Sequence, residues 1–236
     1  MKDTEERLVP KDNPNEEKSL TDFSRRGFIK LAVAGTAALG ATAFAPRLAS
    51  GHPSSPILSK EDIPFNDIEE ATLGDMIKNM ANGKWTSWSL TGAYLARIDA
   101  LDRKGPNLAS VIETNPDVLA IAQQLDDDRK KGINRGPLHG IPVLLKDNIA
   151  THDRMQTTAG SLALDGSKPP EDSWVAAKLR KAGAVLLGKA NMSEWAFFRG
   201  DYGICGWSAR GGQGRNPYAT DRTTSGSSSG SARMPF

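Results

Sequence analysis

The stretch GPLHGIPVLLKDNI, residues 136–149, places a short apolar run directly before a charged residue, Lys146. Such a run is typical of a buried strand, which we expect to end at Lys146. Burying an ammonium group is costly, and the usual solution is that the amine becomes neutral. Because the ordinary lysine pKa near 10.4 can fall by several units in such a site, Lys146 is a candidate general base. The alternative is a lysine that reaches solvent at the strand end or pairs with Asp147.

Helices and apolar strands alternate on both sides of this stretch, which predicts an α/β fold. Two further strands are expected at Leu108–Glu113 and Ala184–Leu187. From Gly200 onward the composition is typical of loops. Four helices are predicted, of which the first is Glu69–Asn82 and the last is Trp174–Ala182. The second runs from a Thr86/Ser87 cap to Gly105 and carries Leu90, Tyr94, Ile98 and Leu101 on one face. The third is opened by Asn115-Pro116.

The composition excludes several classes of protein. After residue 51 the chain carries 22 Lys or Arg and 21 Asp or Glu, so it lacks the basic surface of a nucleic-acid-binding protein. A single cysteine, Cys205, allows no internal disulfide and no Cys-rich metal site. The three histidines, His52, His139 and His152, lack metal-ligand spacing. We therefore expect no metal and no nucleic-acid partner.

The segment SRRGFIKLAVAGTAALGATAFA, Ser24–Ala45, resembles a twin-arginine export signal. Arg25 and Arg26 precede an apolar stretch whose glycines and alanines make a stable membrane span less favourable than export. We expect residues 1–51 to be a leader that is cleaved or lies outside the fold. The resemblance implies a partner, the twin-arginine export machinery, and a periplasmic or extracellular location. A membrane anchor or core helix is the alternative.

Two short patterns resemble motifs of other enzyme classes. GAVLLGKA, Gly183–Ala190, has the spacing of a phosphate-binding loop, but alanine stands where Ser or Thr must hold magnesium, and the apolar interior favours a strand. GSSSG, Gly226–Gly230, matches a nucleophile elbow, but no histidine follows His152 to complete a Ser/His/Asp site. A plain Ser/Gly linker is the remaining alternative for this run.

Five blocks occur together in one order: GPLHGIPVLLKDNI, TTAGS at 157–161, LLGKANMSEWAFF at 186–198, RNPY at 215–218 and SGSSSGSA at 225–232. Together they resemble the amidase signature family from about Leu90 to Ala232. The resemblance implies a mixed β-sheet covered by helices. It also implies hydrolysis of a carboxamide without histidine, metal or cofactor, on a small-molecule or peptide substrate. The export signal argues against a role in translation, which other proteins with this signature have.

The same resemblance implies site residues. Lys146 corresponds to the family's neutral lysine, and Ser227 to the serine that it activates, which is held through a cis peptide bond and in turn activates a nucleophilic serine. Trp195, Ala196 and Ser228 correspond to substrate-binding positions. For Trp195, burial in the hydrophobic core is an equally good explanation of the aromatic side chain.

The nucleophilic serine of the family lies some two dozen residues beyond the position of Ser227, and only nine residues follow Ser227 here. Residues 52–236 are therefore expected to form a partial, truncated amidase-signature domain that is inactive alone, because nucleophile and oxyanion donors are missing. Two alternatives remain open. One is a non-catalytic binding or regulatory remnant of the fold, and the other is a non-functional product with uncovered apolar faces.

Overall fold

The structure is a computed structural model that describes residues 63–198 and 203–233. The expected leader, residues 1–51, lies outside the described part. Six α-helices are seen there: α1 (Phe65–Ile68), α2 (Leu73–Ala81), α3 (Ser87–Arg97), α4 (Val118–Lys130), α5 (Trp174–Lys181) and α6 (Ser229–Arg233). Helix α3 continues as a π-helix, Ile98–Lys104, and short 3₁₀ turns span Leu162–Leu164 and Glu194–Phe197.

Three strands form the main sheet: β1 (Val111–Thr114), β2 (Pro142–Lys146) and β3 (Val185–Ala190). Strand β3 lies in the middle, antiparallel to β1 and parallel to β2. Two-residue strands β4 (Trp207–Ser208) and β5 (Gly212–Gln213) form a separate antiparallel ladder. The mixed sheet with its helices confirms the predicted α/β class.

Side chains of β3 pack on both faces of the sheet, and every residue of the strand is buried. Val185 and Leu187 point to the larger core, which α2, α3 and α4 cover. Leu186 points to the opposite face and packs with Leu145 of β2 and Ala176 of α5. This alternation follows from the two-residue repeat of a strand and explains why β3 reads as a continuous apolar run.

Helix α3 has its predicted cap, and three of the four residues predicted on its face are fully buried, whereas Leu101 is half-buried in the π-helix that follows. Thr86 accepts a hydrogen bond from the backbone N–H of Ser89, and the Ser89 side chain accepts one from the backbone of Thr86. Leu90, Tyr94 and Ile98 are all at most 2% exposed. The helical segment ends at Lys104 with Gly105 as its C-cap, as expected, and a Cβ on Gly105 would lie 2.7 Å from the carbonyl oxygen of Ala100, so glycine suits this position.

Two element starts were predicted too early, because the backbone is left-handed just before them. Glu70 has φ 55°, so the helix expected from Glu69 begins at Leu73, after the cap residue Thr72. Ala109 has φ 51°, so the strand expected from Leu108 begins at Val111. A single residue with left-handed backbone does not change the pattern of apolar positions from which an element is predicted.

Three other boundaries also differ from the sequence-based prediction. The helix opened by Asn115-Pro116 begins at Val118, since Asn115 N–H donates to Leu187 O in the neighbouring strand. The strand predicted at Ala184–Leu187 runs on to Ala190, because its lysine finds hydrogen-bond acceptors inside the protein. The loop predicted from Gly200 onward contains the β4–β5 ladder and helix α6.

The parallel pairing of β2 and β3 brings their carboxyl ends to the same edge of the sheet. Lys146, the last residue of β2, is in register with Ala190, the last residue of β3. Polar residues follow both strands, and ligand sites of open α/β sheets lie at such edges. This edge is therefore the place to look for a site. No helix within residues 63–198 and 203–233 is both long and apolar enough to cross a membrane.

Candidate active site

The side chains of Lys146 and Ser227 meet at the end of β2. Lys146 Nζ donates a hydrogen bond of 2.8 Å to Ser227 Oγ. Lys146 is partly buried, and this burial lowers the pKa of its amine. The structure thus brings together the two residues to which the sequence assigned catalytic roles, although they are 81 positions apart in the chain.

The pair can move a proton in either protonation state of the lysine. A protonated amine donates to Ser227 Oγ, whereas a neutral amine carries a lone pair that accepts the Ser227 hydroxyl proton across the same 2.8 Å. Because burial favours the neutral form, the base-competent state becomes accessible at lower pH than for an exposed lysine. The arrangement can therefore raise the basicity of a serine oxygen.

The serine loop, Thr223–Ser228, reaches Lys146 with trans peptide bonds. The resemblance implied a cis peptide at Ser227, and this expectation is wrong for the structure, since no cis bond occurs among the described residues. The trans form of a non-proline peptide is lower in energy by several kcal/mol. Here the trans loop brings Ser227 Oγ to Lys146 without a cis bond.

The carboxylate of Asp147 accepts hydrogen bonds from residues other than Lys146. Asp147 is fully buried, and its Oδ2 accepts hydrogen bonds from Thr158 Oγ1 at 2.5 Å and from the backbone N–H of Gly160 at 2.9 Å. Its Oδ1 lies 3.7 Å from the guanidinium of Arg210. Among the described residues, the alternative of a Lys146–Asp147 surface pair is therefore not found. Asp147 instead fixes the TTAGS loop beside the lysine.

A second buried lysine, Lys189, was not predicted as part of the site. It is fully buried in β3, and its Nζ donates to Ile149 O at 2.6 Å and to Thr157 Oγ1 at 2.9 Å. Burial lowers the pKa of Lys189 to about 8, with Asp147 the largest of the opposing charges. Lys189 thus ties β3 to both ends of the segment that follows Lys146. A lysine inside an apolar run was the available signal, but in the sequence it only completed the spacing of a phosphate-binding loop.

Asn191, directly after β3, was also missed. This fully buried amide donates from Nδ2 to Ala109 O at 2.8 Å and accepts at Oδ1 from Ser208 Oγ at 2.7 Å. Its backbone oxygen accepts from Gly230 N–H at 2.9 Å, so close that a Cβ on Gly230 would lie 2.3 Å from it. Only glycine permits this approach, which fixes the start of α6 next to β3.

Of the three residues with predicted substrate contacts, Trp195 and Ala196 have left-handed backbone, and Ser228 follows Ser227 directly. Trp195 and Ala196 have φ 51° and 56°, and Phe197 has φ 65°. Left-handed backbone costs roughly 1–2 kcal/mol for each such residue. Hydrogen bonds from Trp195 N–H to Ala159 O and from Ala196 N–H to Ser193 O hold the turn. Ala196 and Ser228 are exposed, and Trp195 is partly buried.

The described residues contain no group of three or more His, Cys, Asp or Glu side chains that could hold a metal ion. His139 is buried, and both of its ring nitrogens have backbone partners, Arg135 N–H and Leu125 O. His152 is exposed, and its Nδ1 contacts Pro169 O. Both described histidines therefore have backbone partners other than Lys146 and Ser227.

Comparison with known proteins matches this region to one family. A family model described as Amidase matches residues 89–234, more than half of the chain. A probable amidase of Arabidopsis thaliana is 50% identical over 167 residues, which are 70% of this chain and 32% of that protein. One component of the glutamyl-tRNA(Gln) amidotransferase of Rhodospirillum rubrum is 40% identical over 129 residues, 55% of this chain and 25% of that protein.

Solved structures give the same match. The native peptide amidase of Stenotrophomonas maltophilia superposes with a TM-score of 0.69 and 55% identity, over 72% of this chain and 34% of that one. An amidase family protein of Bacillus anthracis superposes with a TM-score of 0.67 and 39% identity, over 70% of this chain and 33% of that one. The chain thus spans about a third or less of the length of these proteins.

Proposed function

The chain belongs to the amidase family, and on this premise we propose that it supplies the lysine and the bridging serine of a site that hydrolyses carboxamides. The observation that carries the proposal is the 2.8 Å contact between Lys146 Nζ and Ser227 Oγ at the carboxyl end of β2. The lowered pKa of Lys146, caused by burial, supports a neutral amine in this position. Arginine could not replace it, because a guanidinium stays protonated.

In the proposed mechanism a proton moves through the pair. Neutral Lys146 accepts the hydroxyl proton of Ser227, and Ser227 Oγ accepts the proton of a second, nucleophilic serine as that oxygen attacks the amide carbon. One proton then passes back from Lys146 through Ser227 to the leaving nitrogen, so that ammonia or an amine departs, an acyl-serine remains, and Lys146 is neutral again. Water then attacks the acyl-serine with the same pair as base, which releases the carboxylic acid and restores both serines.

The nucleophilic serine and the oxyanion donors of this mechanism are assigned to family sequence that is not among these 236 residues. We propose a peptide amide as the substrate class, because the peptide amidase of Stenotrophomonas maltophilia is similar over most of the described residues. Trp195, Ala196 and Ser228 are the proposed substrate contacts. The left-handed backbone of Trp195 and Ala196 supports this role, since strained backbone clusters at binding sites, and Ser228 is exposed directly after Ser227.

A chimeric enzyme tests the proposal. The part of the Stenotrophomonas maltophilia peptide amidase that follows the equivalent position is joined to this chain after Ala232, and release of ammonia from peptide amides is measured. We expect turnover in the chimera, its loss on Ser227→Ala or Lys146→Ala, and none in the 236-residue chain alone. Ser87→Ala, which also removes a buried hydroxyl, is the matched control.

Other outcomes would contradict the proposal. A folded chimera that binds a peptide amide but never turns it over would favour a non-catalytic binding remnant. Turnover by the 236-residue chain that disappears on Ser227→Ala or Ser228→Ala would mean that a serine of this chain is itself the nucleophile.

We also propose that residues 1–51 act as a twin-arginine export leader. The adjacent Arg25 and Arg26 before an Ala/Gly-rich apolar stretch support this assignment. The leader is fused to a folded reporter, and export is compared with that of the Arg25→Lys/Arg26→Lys double variant. We expect the double variant to keep the reporter inside the cell, and unchanged export would overturn the assignment.

A further inference from the structure

Among the described residues, the serine loop, Thr223–Ser228, makes few hydrogen bonds to other segments upstream of Gly226. Thr224 is buried next to Gly206, but within this part of the chain its hydroxyl contributes packing rather than a hydrogen bond. On its upstream side Asn216 Nδ2 donates to Thr223 O at 3.4 Å, and both residues are at least partly exposed. Ser225 has φ 60°, and its N–H bonds only locally, to Thr223 Oγ1. The upstream hydrogen bonds are long or local, so the position of Ser227 Oγ depends mainly on the contacts at Gly226 and Ser227 and on the Gly230 N–H bond to Asn191 O that follows them.

Two consecutive carbonyl oxygens of this loop are held by one residue, Ser193. The backbone N–H of Ser193 donates to Ser227 O at 3.1 Å, and Ser193 Oγ donates to Gly226 O at 3.3 Å. Ser193 is only 1% exposed and comes two residues after the buried Asn191. Gly226 O belongs to the peptide before Ser227 and Ser227 O to the peptide after it, so the two hydrogen bonds together hold both peptides that flank the Ser227 side chain.

The direction of the Ser193 hydroxyl is set by a third segment. Gly206 N–H donates to Ser193 Oγ at 2.9 Å. A hydroxyl has one proton, so an oxygen that accepts from Gly206 is left to donate that proton to Gly226 O. The hydroxyl thus joins the end of β3, the Gly206 loop and the serine loop at one buried point.

We infer that Ser193 is a positioning residue, whose side chain holds the Gly226–Ser227 peptide so that Ser227 Oγ meets Lys146 Nζ. The inference rests on the proposed function for the meaning of that contact, but the contact itself can be measured without turnover. Ser193 does not touch the reacting atoms. It acts through the loop, and the Lys146–Ser227 distance of 2.8 Å depends on it.

The test is competitive acetylation of Lys146 in the full 236-residue chain, followed across pH by peptide mass spectrometry. The plateau rate at high pH reports how often the serine loop leaves the amine open, and the midpoint reports the pKa of Lys146. Ser193→Ala removes one buried hydrogen bond from the loop and leaves the N–H bond to Ser227 O intact. We expect the plateau rate to rise about fivefold, the factor that matches one typical hydrogen bond, and the midpoint to move up as the amine becomes exposed.

Two comparisons separate positioning from general destabilisation. Ser87→Ala removes an equally buried hydroxyl that donates to Gly140 O at 2.9 Å, away from the serine loop, and should leave the acetylation of Lys146 unchanged. Ser227→Ala should itself raise the plateau rate. If Ser193 acts through Ser227, adding Ser193→Ala to that variant raises the rate much less than it does in the wild type.

The inference is overturned if Ser193→Ala and Ser87→Ala change the plateau rate equally, if Ser193→Ala changes nothing, or if the effects of Ser193→Ala and Ser227→Ala simply multiply. Should Ser193→Ala not fold, Ser193→Cys keeps the size of the side chain with a weaker donor. It should then give a smaller increase in the same direction, and an unchanged rate in Ser193→Cys would equally overturn the inference. None of these outcomes depends on whether the chain hydrolyses an amide.

Discussion

Replacing Lys189 by methionine should change how the stability of the protein depends on pH. Lys189 is fully buried in β3, and burial lowers its pKa from an ordinary value of 10.5 to about 8. Between these values the unfolded chain binds a proton at this lysine that the folded chain has lost. The free energy of unfolding therefore rises with pH over this window. The full difference in pKa corresponds to about 3 kcal/mol.

The assay is urea unfolding at about pH 7, 8, 9 and 10, a range that spans the titration window, for the wild type and for Lys189→Met, which keeps the length and apolar stem of the side chain. Other groups titrate alike in both proteins, so the difference in unfolding free energy isolates Lys189. We expect this difference to move in favour of the wild type as the pH rises from about 8 towards 10. Below about pH 8 the variant loses two hydrogen bonds but no longer buries an ammonium group.

The exposed Lys181→Met substitution serves as the control for removing a lysine, and its difference from the wild type should stay flat over the same pH range. A flat or falling curve for Lys189→Met would refute the reasoning. It would mean that Ile149 O, Thr157 Oγ1 and the surrounding carboxylates keep Lys189 charged in spite of its burial.

Two further substitutions test the core. Burial raises the pKa of Tyr94 to about 12, so the folded chain keeps a proton that the unfolded chain loses near pH 10, and the free energy of unfolding should fall as the pH rises from 10 to 12. Tyr94→Phe should flatten this fall when it is measured by urea unfolding. The same fall of the unfolding free energy with pH in Tyr94→Phe would contradict the prediction. Asp126 accepts from Ser87 N–H at 2.7 Å and Trp88 N–H at 2.8 Å, so Asp126→Ala should cost roughly 1–3 kcal/mol. Its half-exposed neighbour Asp127 is the control, and equal losses for the two alanine variants would refute a stabilising role of these two hydrogen bonds.

Local patterns predicted the elements that depend on neighbouring residues. The cap at Thr86, the buried face of α3 and the end of β2 at Lys146 could be read from the sequence, because each follows from spacing along one element. The starts of α2 and β1 could not, since Glu70 and Ala109 adopt left-handed backbone for which their residue types give no signal. Boundaries set by a single unusual φ are the least visible in a pattern of apolar positions.

The contact between Lys146 and Ser227 was expected only from the resemblance that the five sequence blocks carry. Lys146 and Ser227 are 81 positions apart, and no local pattern joins them. Lys189 and Asn191 were missed because their importance lies in partners from distant segments, such as Thr157 and Ser208. Long-range hydrogen bonds between loops are set by the tertiary fold. The sequence alone can therefore indicate that a polar residue is buried, but not which partners it has.

The central claim, that Lys146 is a neutral base for Ser227, is tested most directly by Lys146→Arg in the chimera with the Stenotrophomonas maltophilia peptide amidase. We expect kcat of the chimera to rise with pH through the titration of Lys146, whose lowered pKa places this rise below that of an ordinary lysine. Lys146→Arg should lose at least about 100-fold in kcat, as expected for loss of a general base, with little change in KM. Near-normal kcat in Lys146→Arg would contradict the claim, because a guanidinium cannot accept the proton of Ser227.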